Sequence, residues 1–380
     1  MIVRRRAPAR ALGWMIAILA LGFVVWVIPF RDRCWDPRAP ASTRVAVTRT
    51  PSGCILHLRS GDTAIDRGPC DALQCEPGLI PTLAAARRGL LVPLLCLYAF
   101  GTLAWAARWR TLLRLAGVRL SMLGVWRVCI EAQAGGVLLP GGIGGDALRV
   151  AYVLGQERSP DESAPRLPIV VASVLLDRVI GLALIAAVAA ALATACHAPA
   201  IGADPAMLLG VLWALPIGVF AALVILRLVP SAWAPSSWLP GRLRRPAEAL
   251  LGPMMDYVRD GRAPSAMAGA AALSLVVAAA QFGVIRGLVM AVGAQPTAEQ
   301  WIYVGSAMAF IVSAVPSLPG AWGTADATYV FFFGLGGIQP ASALAVCLLY
   351  RLFWYFSGVV GALLRISRWP RRRVLERSSP

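Results

Sequence analysis

Six apolar runs, residues 11–30, 89–107, 168–195, 206–229, 266–291 and 341–364, are each long enough to cross a bilayer as a helix. A helix needs roughly 20 apolar residues to pass through about 30 Å of hydrocarbon, so these runs restrict the chain to a bundle of membrane helices. Two further hydrophobic segments, 128–153 and 300–334, are interrupted by VLLPGGIGGDALR (137–149) and VPSLPGAWGTADA (315–327). Hydrocarbon offers a freed backbone N–H or C=O no partner, so a break at membrane depth survives only inside protein or beside a polar cavity. One such break in each half of the chain is the pattern of a midplane transport site. The fold class is therefore an all-α polytopic integral membrane protein. It has six full transmembrane helices and two opposed re-entrant broken-helix hairpins, as an inverted repeat would. Residues 1–10 (MIVRRRAPAR) have the basic start of a signal peptide. The run behind them continues to Pro29 without a small-x-small cleavage pattern, so it reads as a retained first helix.

Arginines orient the bundle. All 36 basic residues are arginine, the formal charge is +17, and the charge gathers at helix ends, where anionic headgroups meet it. That distribution excludes nucleic acid as a partner. If both broken segments return to the side they came from, segments 1–10, 108–127, 154–167, 227–262 and 365–380 carry 23 arginines inside. The loop 31–88 then carries nine outside. If both segments crossed instead, the tally would be 15 inside and 17 outside, against the positive-inside bias. Hairpins are thus expected, one from each face, with both termini cytoplasmic in a bacterial inner membrane. The chain divides into a first helix (1–30), an external loop (31–88), a membrane domain (89–366) and a basic tail (367–380).

The external loop holds Cys34, Cys54, Cys70 and Cys75, half of the eight cysteines. Its centre alternates short β-prone runs with Pro-Ser-Gly and Ser-Gly-Asp turns, which suits a small β-hairpin unit. Outside the cytoplasmic membrane, four cysteines are expected to form two disulfides, with three connectivities open. A metal site with His57 fits no zinc spacing, so no metal is expected. Cys96, Cys129, Cys196 and Cys347 read as small apolar packers of the membrane helices.

Charge inside the apolar segments marks the candidate site. An ionised side chain at mid-bilayer costs roughly 2.5–3.5 kcal/mol on insertion scales, so each needs a partner or an aqueous path. The candidates are Glu131, Asp146, Arg149, Asp177, Arg178, Arg286, Asp326 and Arg351. Asp146 and Arg149 are three apart and share a helix face. Gly141, Gly142, Gly144 and Gly145 allow close backbone approach, and the helix start behind them suits an anion such as a lipid phosphate. Asp146 is alternatively that helix's own cap. Asp177 and Arg178 point about 100° apart, so they serve different partners: Arg178 with Asp146, and Asp177 with Arg149 or Arg351. They form either a structural clamp or a polar cavity. In the second half Pro316, Pro319, Gly320 and Gly323 make the break, Asp326 follows it, and Arg351 is its counter-ion. Tyr350, Trp354 and Tyr355 are either interface anchors, the preferred reading, or residues that line the path. Gln281 and Arg286 are weaker candidates, since Arg286 can snorkel.

The chain has no P-loop, no Gly-x-Ser-x-Gly, no His-Glu-x-x-His and only two histidines, so no catalytic residue and no cofactor are expected. Four segments carry a resemblance: LLPGGIGGDALRVAYVL (138–154), SVLLDRVIGL (173–182), PSLPGAWGTADATYV (316–330) and LLYRLF (348–353). Together they resemble the flippase-like transmembrane domain of lysylphosphatidylglycerol synthases, over residues 85 to 366. That family reads P-G-G-x-G-D/E-x-x-R, D-R-x-x-G, P-x-x-P-G-G-x-G-x-x-E and L-x-x-R. Here Ala321 replaces a glycine and Asp326 a glutamate. In bifunctional members a soluble domain makes the aminoacylated lipid and the membrane domain flips it. With about 15 residues after the last helix, the resemblance implies translocation of a polar-headed or anionic lipid without synthesis. It places Gly141, Gly142, Gly144, Gly145, Asp146, Arg149, Asp177, Arg178, Pro319, Gly320, Gly323, Asp326 and Arg351 around the substrate. Membrane lipids are the implied partners, with a lipid-modifying enzyme or glycosyltransferase as a second. The rival readings are an accessory that presents lipid to such an enzyme, and an integral membrane transferase.

Overall fold

The computed structural model describes residues 7–35, 45–50, 53–57, 74–138, 143–156, 167–195, 205–228, 240–314, 318 and 320–366. The helices α1 (Ala7–Val27), α2 (Leu79–Ala85) and α3 (Arg88–Leu115) lead into the first pair, α4 (Met122–Leu138) and α5 (Ile143–Gln156). Then follow α6 (Leu167–Ala195), α7 (Pro205–Leu228), α8 (Gly241–Arg259) and α9 (Ala263–Ala291). The second pair is α10 (Gln300–Ser313) and α11 (Thr324–Leu335), and α12 (Pro340–Ile366) closes the bundle. Among the described residues, five helices are long and apolar enough to span a membrane: α3, α6, the Leu209–Leu228 part of α7, α9 and α12. The chain is a multi-pass membrane protein. The first apolar run forms α1, which packs against α11; its Val24 and the following Ile28 are buried in the core that also holds Ile285 and Leu344.

Each broken segment is two helices that pack against each other. The first pair builds one core with α3 and α6 around Trp109, Val128, Cys129, Val153 and Val174. The second pair builds another with α9 and α12 around Ile302, Phe333 and Val346. The halves are joined mainly where α3 lies along α9. Helix α12 also presses on α4: a Cβ at Gly361 would stand 2.2 Å from the carbonyl oxygen of Ile130, so only glycine permits that contact.

Two expectations change here. The run 89–107 is a helix that continues to Leu115, so Arg108 belongs to the bundle rather than to a cytoplasmic loop. The stretch 227–262, read as a loop, contains the amphipathic helix α8, whose Met255, Tyr257 and Val258 are buried. The Tyr257 hydroxyl donates to the carbonyl of Leu112 near the end of α3. Between α8 and α9, Asp260 bonds the backbone and guanidinium of Arg262, which hold its carboxyl down at about 2.

Strands β1 (Arg33–Trp35), β2 (Val45–Thr50), β3 (Gly53–His57) and β4 (Gln74–Glu76) form an antiparallel sheet in the order β3-β2-β1-β4. The hairpin expected in the loop is β2–β3, with Thr50 opposite Gly53. In the same sheet Cys34 stands opposite Cys75, whereas Cys54 pairs with Arg49. Cys70 lies outside the described residues. The end of the loop belongs to the helical body, since α2 packs against α12.

Candidate functional site

Three helices bring the first charged cluster together. Asp177 on α6 is 1% exposed and accepts from Arg108 Nε (2.7 Å), Arg149 Nη2 (2.9 Å) and Trp105 Nε1 (3.1 Å). Arg108 also donates to Ser274 Oγ on α9 at 3.2 Å. A Cβ at Gly181 would lie 2.6 Å from Arg108 Nη1, so the glycine of Asp-Arg-x-x-Gly makes room for a guanidinium from α3. Arg149 stacks on Trp109 and Trp105, with its guanidinium carbon 4.0 and 4.9 Å from the ring centroids. Asp146 reaches Arg149 Nη1 at 3.3 Å and Arg178 Nη1 at 2.9 Å. Three cations and two anions leave this cluster with one excess positive charge. Its exposed member is the Asp146–Arg178 pair, with side chains 22% and 30% exposed.

The second cluster is more enclosed. Asp326 Oδ2 accepts from the backbone N–H of Gly323 at 2.9 Å, capping α11, and Oδ1 lies 2.9 Å from Arg351 Nη1. The Cys347 thiol donates to the same oxygen at 3.1 Å. Arg351 stacks on Trp322 at 3.9 Å, and Trp322 Nε1 donates to the Tyr355 hydroxyl at 2.7 Å. The break itself needs left-handed backbone at Gly320 (φ 70°), Ala321 (φ 54°) and Gly323 (φ 81°). Ala321 stands in that region with a side chain, a conformation that costs roughly 1 kcal/mol more than for glycine.

Both clusters open on one cavity of about 360 Å³, lined by residues of both helix pairs and of α3, α6, α9 and α12. Four buried polar atoms of residues that line it make no aligned hydrogen bond among the described residues: Arg149 Nε, Arg351 Nη1, Gln133 Oε1 and the Tyr329 hydroxyl, with Asp326, Tyr98 and Ser306 beside the last three. Arg351 Nη1 is close enough to Asp326 for ionic attraction but is not aligned with it for a hydrogen bond. Leaving a buried donor or acceptor unmet costs about 1–3 kcal/mol, so such atoms collect where a polar guest or water enters.

The expected residues fall into place unevenly. Asp146, Arg149, Asp177, Arg178, Gly145, Gly320 and Arg351 line the cavity, and Asp326 lies behind Arg351. Gly144 is buried, and Gly323 starts α11. Gly141, Gly142 and Pro319 lie outside the described residues, as does Pro316. Asp177 meets Arg149 and not Arg351, which is taken by Asp326. Both Asp146 oxygens lie against arginines, and Asp326 caps α11; the residues just before α5, where a cap by Asp146 would act, lie outside the described residues. Tyr350 and Trp354 are corrected from interface anchors to cavity walls, because their faces of α12 turn inward with Arg351. Arg286 pairs with Glu299 at 2.6 Å, away from the cavity. Arg108, Trp105 and Gln133 went unread. The signal was present for Arg108, because an arginine between two tryptophans in an unbroken apolar pattern marks a helix that has not ended.

Residues 78–361 match the family model described as the lysylphosphatidylglycerol synthase TM region. No curated protein matches the chain.

Proposed function

The chain belongs to the lysylphosphatidylglycerol synthase TM-region family, and we propose that it moves a polar-headed or anionic lipid across a bacterial inner membrane without synthesising it. The observation that carries this reading is the one cavity on which residues of both charge clusters meet, with Arg149, Arg178 and Arg351 in its lining. A polar recess enclosed by membrane helices suits a headgroup whose acyl chains stay in lipid. The excess positive charge beside Arg149 and Arg178 favours a headgroup that carries an anion. Arg178 is the exchangeable contact, since its bond to Asp146 is the exposed one. Asp177 holds Arg149 and Arg108 in place.

The two helix pairs are read as re-entrant hairpins. At about 1.5 Å per residue, the 14 residues of α5 and α10 extend roughly 21 Å and the 12 of α11 roughly 18 Å. None of these lengths crosses about 30 Å of hydrocarbon alone, and each helix folds back on its partner. With that reading the bias of arginines toward the cytoplasmic side favours cytoplasmic termini.

The test is movement of labelled lipid in liposomes that contain the full-length protein. Faster movement than in empty liposomes, lost in Arg178→Gln and Arg351→Ala variants that remain folded, is expected. Unchanged movement in both variants would sink the reading. Binding without movement would favour presentation of the lipid to a separate enzyme.

A further inference from the structure

One acid of the helical bundle takes no part in the cavity. Glu131, on α4, is 6% exposed and stands outside the cavity lining. Its ionic contact is with Arg365 in the last turn of α12, whose Nη1 lies 3.6 Å from Oε2, too far for a hydrogen bond. The Arg365 side chain is half-exposed, with its guanidinium carbon 4.5 Å from the centre of the Tyr152 ring on α5. That guanidinium donates no hydrogen bond among the described residues. One turn before Glu131, on the same face of α4, Arg127 is partly buried and has no charge partner among the described residues. Two cations, one acid and one aromatic ring from three helices thus leave an excess of one positive charge. Tight packing divides this group from the cavity: a Cβ at Gly358 or Gly361 of α12 would meet the α4 backbone at Ala134 or Ile130.

A guanidinium braced on an aromatic face keeps its N–H edges free, and those edges match the oxygens of a phosphate. Beside it, α12 exposes Phe356, Val359, Leu363 and Ile366 at helical spacing, an apolar strip that suits acyl chains. A soluble phosphate gains nothing from such a strip, whereas a lipid uses strip and arginine together. We propose that Arg365, seated on Tyr152, docks the phosphate of an anionic lipid at the membrane surface, at a site separate from the cavity. Glu131 is its resident counter-ion. By cancelling part of the positive charge it keeps the lipid exchangeable, so its removal strengthens the site. The inference does not depend on any movement of lipid through the cavity.

The test is site-resolved photolabelling of the full-length protein in phosphatidylcholine nanodiscs. Trace phosphatidylglycerol (anionic) or phosphatidylcholine (zwitterionic) carries the same diazirine on its acyl chain, and label on residues 359–366 is quantified by mass spectrometry. One arginine near a membrane surface changes the binding of an anionic lipid by about fivefold, so phosphatidylglycerol is expected to label this segment about fivefold above phosphatidylcholine. Arg365→Gln is expected to bring the two lipids level. Glu131→Gln, which removes a negative charge from the same place, is expected to raise phosphatidylglycerol labelling by about fivefold and leave phosphatidylcholine unchanged. Equal labelling in the native protein overturns the inference, and so does a preference that survives Arg365→Gln. Weaker phosphatidylglycerol labelling in Glu131→Gln also overturns it, because the acid would then be holding the site together. If inorganic phosphate abolishes the preference when chloride of equal ionic strength does not, the site belongs to soluble phosphate and the lipid assignment falls. A native preference that Arg365→Gln removes stands even where liposomes show no lipid movement. Movement with equal labelling leaves translocation standing and sinks this inference alone.

Discussion

Replacing Asp177 by asparagine separates what holds this fold from what serves its cavity. The carboxylate is 1% exposed and accepts bonds from Arg108, Arg149 and Trp105 at 2.7, 2.9 and 3.1 Å. Asparagine keeps the volume but removes the charge and turns one acceptor into a donor that faces an arginine. The cluster then holds three cations against Asp146 alone, so its excess charge rises from one to two. Breaking a buried ion pair costs about 3–5 kcal/mol, because the stranded charge is uncompensated. Asp146 still lies 3.3 Å from Arg149 and recovers part of this, so a loss of about 3 kcal/mol is expected. Arg178→Gln is the control. Its ion pair is 30% and 22% exposed, and pairs of that kind contribute up to about 1 kcal/mol. The measurement is reversible unfolding in mixed micelles, followed by the fluorescence of the tryptophans beside Arg149, together with lipid binding. Arg178→Gln is expected to stay folded and lose lipid, and Asp177→Asn to lose stability first. If the two variants unfold within about 0.5 kcal/mol of each other, Asp177 is not the clamp and the division of roles falls.

Ala321→Gly is expected to stabilise the protein by about 0.5–1 kcal/mol in the same titration, by removing a Cβ from left-handed backbone. A loss of stability there would contradict the conformation of the second break. Gly361→Ala is expected to cost about 1–3 kcal/mol, because the new Cβ meets the Ile130 carbonyl, and an unaffected unfolding midpoint would refute that contact. Asp260 is drawn from its ordinary 3.8 to about 2, so the turn it holds is complete above pH 4 and is lost as the pH falls toward 2. Amide exchange at Arg262 reads this directly: protection should weaken only below about pH 4 in the native chain, and Asp260→Asn should weaken it at pH 7.

Much of this site was legible because hydrocarbon makes charge conspicuous. An acid or base inside an apolar run requires a partner, and spacing then limits the choice: Asp146 to Arg149 and Arg178, and Asp326 to Arg351. What sequence could not supply was the direction in which a helix face points. Tyr350 and Trp354 have the composition of an interface belt, and only the packing of α12 on α4 and α11 turns them toward the cavity. Arg108 was misplaced for a related reason: arginines at 108, 110 and 114 look like the end of a helix, while one of them is buried by a partner 69 residues away. The two acids beside the breaks are equivalent in pattern and differ in use. Asp326 turns back to its own helix start, whereas arginines from α5 and α6 claim Asp146.

The contact of Gly361 with Ile130 has a mechanical consequence. Ten residues earlier on the same helix stands Arg351, about 15 Å away along the axis. Helix α12 is therefore a rod with one point wedged against the backbone of α4 and another paired with the start of α11. A displacement of either helix pair along α12 would therefore press on the other through these two contacts.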